Sequence, residues 1–190
     1  VKKKSVKQVV LIDYPGFNLS IAKKLKKLEP EHKLDLIYYI TPQVWAWGKG
    51  RVNKIKELFK KVLVVFPFEE KFFKDKNVNA EFVGHPLIQE INSYDFKSKN
   101  LLEKKFGLDP EKEILLILPG SRKQEVKSIF PDAIKAAAKL ADDLDMQIVV
   151  ACAGNLDVKT FYELTDVKNF IVIKDHTYDL LKHAKFGIVK

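Results

Sequence analysis

Apolar residues in this 190-residue chain come in short unbroken bursts, set between longer stretches where apolar positions recur every three or four residues. The bursts read as strands over Val9–Asp13, Leu36–Ile40, Val62–Phe66, Glu81–Val83, Ile114–Leu118, Gln147–Cys152, Phe170–Ile173 and Phe186–Val189. A burst without polar alternation suits a strand buried on both faces, as in a parallel sheet covered by helices. The stretches between read as helices. Leu19 to Leu28 carries Leu19, Ala22, Leu25 and Leu28 on one face, and Arg51 to Lys61 carries Val52, Ile55, Leu58 and Phe59. Val126 to Ala141 is the clearest, with Val126, Ile129, Phe130, Ala133, Ile134, Ala137, Leu140 and Ala141 at helical spacing. Strand–helix alternation predicts an α/β fold with mostly parallel sheets and right-handed crossovers.

The segment 91–100, "INSYDFKSKN", is polar and without clear periodicity, and the helix after it is expected to end at Gly107. The expected organisation is therefore residues 1–90 and 101–190 as pieces of two α/β domains, with 91–100 as linker. Val1 opens the chain, Met146 is its single methionine, and "AKFGIVK" reads as a strand just begun, so an excerpt of a longer protein is expected. With 46% hydrophobic and 31% charged residues the chain is not a disordered one. No apolar run nears the roughly 18 residues of a membrane span. A single cysteine, Cys152, excludes an internal disulfide framework and a cysteine-rich zinc site and fits a reducing cytoplasm.

Three segments carry candidate chemistry. In "LILPGSRKQEV" a buried strand runs into Gly120, Ser121 and Arg122 and then into the long helix. The glycine allows close backbone approach, the helix start offers N–H groups to an anion, and Arg122 is a bidentate phosphate donor. A capping box with Ser121 as N-cap and Gln124 three residues on explains the same residues without a ligand. In "LIDYPGFN" Asp13 ends a strand, where a carboxylate can serve as general base or simply cap the turn, and Asn18 reads as a helix N-cap. In "YYITPQVWAWGKGRVNKI" and "FPFEEKFFKDK", Trp45, Trp47, Phe68, Phe72 and Phe73 stand among lysines. That mix suits an anionic membrane surface, but plain packing with lysines snorkelling outward is the commoner outcome. His85 follows a short strand, where it lines a cleft or holds the loop. Asp143 and Asp145 form a D-x-D pair best read as a solvated turn, and Cys152 reads as a buried structural thiol. The histidines do not fall at metal-ligand spacings.

Together these segments resemble the lipid-A-disaccharide synthase family, glycosyltransferases of the GT-B type with two Rossmann-like domains. "LIDYPGFN", "YYITPQVWAWGKGRVNKI", "VVFPFEEKFF", "FVGHPL" and "LLILPGSRKQEV" occur in the family's order across nearly the whole chain. The resemblance implies transfer of 2,3-diacylglucosamine from UDP-2,3-diacylglucosamine to 2,3-diacylglucosamine 1-phosphate, giving lipid A disaccharide 1-phosphate and UDP. It implies an inverting reaction without metal or other cofactor, at the cytoplasmic face of the bacterial inner membrane, by a peripheral protein bound to an anionic surface. By resemblance Asp13 is the base, Arg122 serves the donor diphosphate or departing UDP with Ser121 and Gly120, and Glu125 and Asn18 join the substrate site. Gly16 stands where the family commonly has a carboxylate, and Gly48 and Gly50 where its tryptophan loop carries charge. Residues 1–90 match the latter part of the acceptor-side domain and 101–190 the first part of the UDP-sugar side, a fold incomplete at both ends. A glycine-rich segment before Val1 and an S-G-T segment after Lys190 would complete the cleft, so the 190-residue piece alone is expected to be inactive. Other readings are another GT-B transferase, a UDP-sugar epimerase, or a basic module binding RNA or anionic lipid. A net charge of +9 permits the last, but the lysines are spread over many helices rather than gathered in one stripe, and no nucleic-acid motif is present.

Overall fold

A computed structural model describes residues 6–28, 34–46, 48 and 50–190. The chain divides into two compact units, Val1–Ser93 and Tyr94–Lys190. Both are α/β.

In the first unit, among the described residues, strands β1 (Gln8–Ile12), β2 (Asp35–Tyr39), β3 (Lys61–Val64) and β4 (Ala80–Phe82) form a parallel sheet in the order β1-β2-β3-β4. Helices α1 (Pro15–Leu28), α2 (Arg51–Leu58), α3 (Pro67–Lys74) and α4 (Pro86–Ser93) connect or follow them. Leu36, Tyr38, Val62 and Val64 point into a core shared with Ala22 of α1, Val52 and Ile55 of α2, and Phe73 of α3. Burial alternates along β2 and β3, and Val10 and Ile12 of β1 are exposed. Burial on both faces, expected from the unbroken bursts, therefore does not hold here: among the described residues the helices cover one face. A burst such as Leu36–Tyr39 satisfies a buried face with every second residue and leaves the others half-exposed.

The second unit meets that expectation. Strands β5 (Glu113–Leu118), β6 (Met146–Cys152), β7 (Phe170–Lys174) and β8 (Phe186–Val189) form a parallel sheet in the order β7-β6-β5-β8. Its helices are α5 (Lys99–Phe106), α6 (Lys123–Leu144), α7 (Lys159–Glu163) and α8 (Thr177–His183). Leu115 and Ile117 face α6, while Ile114 and Leu116 lie in a second core with Leu102 of α5 and Leu180 of α8. With both faces covered, β5 is apolar from Ile114 to Leu118. Helix α6 seats Val126, Phe130, Ala133, Ile134, Ala137 and Ala141, while Leu140, expected on that face, is exposed.

The expected linker 91–100 is helical at both ends. Helix α4 runs to Ser93, and α5 begins at Lys99 on a Ser98 cap whose Oγ accepts the Leu101 N–H, ending at Gly107 in the left-handed region (φ 69°). Between them, Tyr94 Oη and the Lys97 N–H donate to the buried Asp179 carboxylate at 3.0 and 2.8 Å, which also pairs with His176 Nδ1 at 2.8 Å. Burial pushes that carboxyl up, but the bonds from His176, Lys97 and Tyr94 outweigh it and hold it below its ordinary value. The polar run Tyr94–Lys97 thus has a fixed place on the second unit, which its lack of periodicity concealed.

Candidate active site

Strand β1 delivers Asp13 at its carboxyl end, where the chain turns through two consecutive left-handed residues, Asp13 (φ 49°) and Tyr14 (φ 37°). Such backbone costs a non-glycine residue about 1 kcal/mol or more and persists only where neighbours over-determine it. Here they do. The Asp13 N–H donates to the Tyr39 carbonyl at 2.9 Å, and the Asp13 carbonyl accepts from Asn18 Nδ2 at 2.5 Å and Tyr38 Oη at 3.0 Å. Asn18 Nδ2 also reaches the Ile12 carbonyl at 2.7 Å. All these bonds go to backbone, and the Asp13 side chain is left at the surface.

Asn18 is therefore not the N-cap its sequence position suggested. It lies inside α1, buried, with its amide donors committed to the Asp13 turn rather than offered to a ligand. The helix starts earlier than expected because Pro15 fits its first turn. Burial, with the charge of Asp13 adding to it, pushes the Tyr38 phenol up to about 12, still further from ionisation at neutral pH. Sequence reasoning missed Tyr38 because a tyrosine in an apolar burst reads as core. Tyr14, in the turn itself, and Phe17, in the first turn of α1, are exposed aromatic rings 6.4 Å apart, with no signal in the sequence beyond their place in the segment.

At the carboxyl ends of β3 and β4 the aromatic segments fold onto one another. Trp45 Nε1 donates to Oε1 of buried Glu69 at 3.0 Å, and Glu69 Oε2 accepts the Phe66 N–H at the start of α3. Phe68 meets Trp45 edge-on at 5.0 Å and stacks with Phe66, which abuts His85. Trp45 and Phe68 remain exposed. Phe73 does not: it is wholly buried in the core, so the surface contact expected of it is corrected. Phe72 is half-buried against that core, with Lys76 Nζ 4.2 Å above its ring. The reason is helical period. On a helix starting at Pro67, residues 69 and 73 turn fully inward, 72 lies at the edge of that face and 68 outside it. Trp47 lies outside the described residues. His85 lines a pocket of about 590 Å³ with Tyr39, Gly84 and Asn92, and its Nδ1 accepts the Leu87 N–H.

In the second unit the strand order itself points to a site. The chain steps from β5 to β6 to β7, then returns to place β8 on the other side of β5. Ligands of open α/β sheets bind at such a reversal, at the carboxyl ends of the strands. The β5 end leads to Gly120, Ser121 and Arg122, and Lys190 follows β8. These residues line a pocket of about 370 Å³ with Glu125 and Thr177. Glu125 is its centre. Oε2 lies 3.3 Å from both the Ser121 and Arg122 N–H groups, and Oε1 accepts from Arg122 Nη1 at 2.9 Å and Lys190 Nζ at 2.6 Å. Lys190, then Arg122, hold its carboxyl down at about 2. Gly120 has φ 111°, and a Cβ there would stand 2.6 Å from Glu125 Oε2, so the turn requires glycine.

The expected cap is thereby corrected. Arg122, not Ser121, occupies the N-cap position of α6, and Glu125, not Gln124, reaches back to its N–H. The Ser121 and Arg122 amides are occupied by this carboxylate, and Ser121 is tied to Asn155 through its carbonyl. Arg122 itself is mostly exposed. Lys190 went unnoticed in the sequence because only the sheet order brings it beside Glu125. Among the described residues no three His, Cys, Asp or Glu side chains group into a metal site. Asp145 ends α6 and pairs with Lys112 at 2.7 Å, and Cys152 is buried, its thiol pushed up by that burial.

The family model for lipid-A-disaccharide synthetase matches residues 1–190. The lipid-A-disaccharide synthase of Coxiella burnetii (strain RSA 331 / Henzerling II) is 37% identical over 185 residues, 96% of this chain and 48% of that protein. The synthase of Syntrophus aciditrophicus is 36% identical over 95% of this chain and 47% of its own length. That of Koribacter versatilis is 42% identical over 75% of this chain and 36% of its own. The chain thus spans about half the length or less of these relatives. With the whole chain matched, and a Rossmann-like α/β architecture in both units, the chain belongs to the lipid-A-disaccharide synthase family.

Proposed function

We propose that this chain is part of a glycosyltransferase that moves 2,3-diacylglucosamine from UDP-2,3-diacylglucosamine to the 6-hydroxyl of 2,3-diacylglucosamine 1-phosphate. The observation that carries the reading is the family match over all 190 residues, whose two chemical motifs fall at the carboxyl ends of β1 and β5. The first unit supplies the acceptor side. The Asp13 carboxylate takes the acceptor hydroxyl proton as that oxygen attacks the anomeric carbon and the sugar–phosphate bond breaks with inversion. Asn18 and Tyr38 act through the backbone of Asp13, as positioning residues. The second unit supplies the donor side, where Arg122 meets the diphosphate and the charge that develops on departing UDP.

No helix among the described residues is long and apolar enough to cross a membrane. The reading places the protein peripherally at the cytoplasmic face of the inner membrane, with exposed Trp45 and Phe68 as candidate contacts for acyl chains or the anionic surface. The full-length parent, given both substrates in detergent or lipid, should form disaccharide and UDP, and chelation of divalent metal should leave the rate unchanged. A folded parent that makes no disaccharide from this pair would overturn the reading.

A further inference from the structure

The charge cluster at the reversal of the second sheet has a feature that a helix cap does not need. A capping glutamate has only to accept the backbone N–H groups, which Glu125 Oε2 does. Its other oxygen receives two cations, Arg122 Nη1 at 2.9 Å and Lys190 Nζ at 2.6 Å, one from the segment that follows each of the two strands defining the reversal. A carboxylate oxygen and a non-bridging phosphate oxygen accept the same charge-assisted bonds. The two cationic side chains are 79% and 46% exposed while that of Glu125 is 17% exposed, so a ligand entering the pocket meets the cations first.

We infer that Lys190 is the second cation of the donor phosphate site and that Glu125 is an internal anion competing with the substrate phosphate for Arg122 and Lys190; this rests on the donor-site reading above. Glu125, paired with both cations, offsets their mutual repulsion when no ligand anion is bound. When a diphosphate arrives, its oxygens take over Lys190 and the outer edge of the Arg122 guanidinium, which has further N–H donors to offer. Glu125 keeps its hold on the Ser121 and Arg122 amides. The competition weakens binding of a multiply charged product and so favours its release.

Titration calorimetry on the full-length parent with UDP and with inorganic pyrophosphate tests this, at low and moderate salt. Lys190→Gln should bind both ligands about tenfold more weakly, the scale of one charge-assisted contact at a partly exposed site. Glu125→Gln keeps an acceptor oxygen for the backbone amides but loses the charge. It should bind both ligands about tenfold more tightly, with steeper salt dependence and slower UDP release. A purely structural Glu125 would give unchanged or weaker binding in Glu125→Gln, and unchanged binding in Lys190→Gln would remove the second cation; either result overturns the inference while leaving the donor site standing. Should Glu125→Gln fail to fold, Lys190→Gln decides. Wild-type protein that binds neither ligand, or Arg122→Ala protein that binds UDP undiminished, would instead overturn the donor-site reading itself.

Discussion

The Asp13 turn and the Arg122 turn each follow the first described strand of their sheet, and they solve opposite problems. At Asp13 the strain sits in the backbone of two side-chain-bearing residues, and the neighbouring polar groups, Asn18 and Tyr38, bond that backbone and leave the carboxylate outside. At Arg122 a glycine takes the unusual φ, and the side chains engage one another, with one carboxylate holding two cations. The scaffold at Asp13 grips main chain and leaves the carboxylate free to accept a proton, as its proposed role requires. The scaffold at Arg122 gathers two cations around one carboxylate, which suits the anion site proposed there.

Substitutions at the two turns should therefore fail differently. The largest effect is expected from Asp13→Asn, which should lower turnover in the full-length parent by about 10²- to 10⁴-fold, the range of a general base, with the protein folded. Arg122→Ala should weaken UDP binding roughly ten- to hundredfold, as loss of a charged hydrogen bond does. Gly120→Ala should destabilise the second unit by about 1–3 kcal/mol, because its φ is left-handed and its new Cβ meets Glu125. Gly16→Ala, in a helical turn with nothing within 4 Å of the added Cβ, should be neutral or stabilising by about 0.5–1 kcal/mol in thermal unfolding. Tyr38→Phe should cost about 1 kcal/mol, the net worth of its bond to the Asp13 carbonyl.

The pH dependence of stability separates the two turns again. The Glu125 carboxyl is held at about 2 when folded, below its ordinary 4.5, so its contribution is present above about pH 4.5 and is lost as pH falls towards 2. The Tyr38 phenol is raised from 10.0 to about 12, so its contribution is present below pH 10 and is lost as pH rises towards 12. Acid titration of Glu125→Gln and alkaline titration of Tyr38→Phe should each flatten one end of the stability profile and leave the other.

Much of this architecture is legible in the residues. Among the described residues the bursts place every strand within two residues of its observed ends, and Gly107 ends α5 where a glycine should. What the residues concealed is what depends on the third dimension. Phe73 reads like Phe68 until the phase of α3 turns one inward and leaves the other at the surface. Asn18 carries the side chain of a cap but lies one helical turn too late to be one. Glu125 joins Lys190, 65 positions away, only because β8 returns beside β5. Tyr94–Lys97 reads as linker because its order comes from one buried carboxylate, Asp179, far along the chain.

The proposed function divides the labour, with the proton at Asp13 and the phosphate at Arg122. The most direct test is one experiment on the full-length parent: turnover and UDP affinity measured together for wild type, Asp13→Asn and Arg122→Ala. Asp13→Asn should abolish nearly all turnover while binding UDP as wild type does, and Arg122→Ala should lose UDP affinity. Asp13→Asn protein that still turns over at the wild-type rate, or that loses UDP affinity as Arg122→Ala does, would contradict that division.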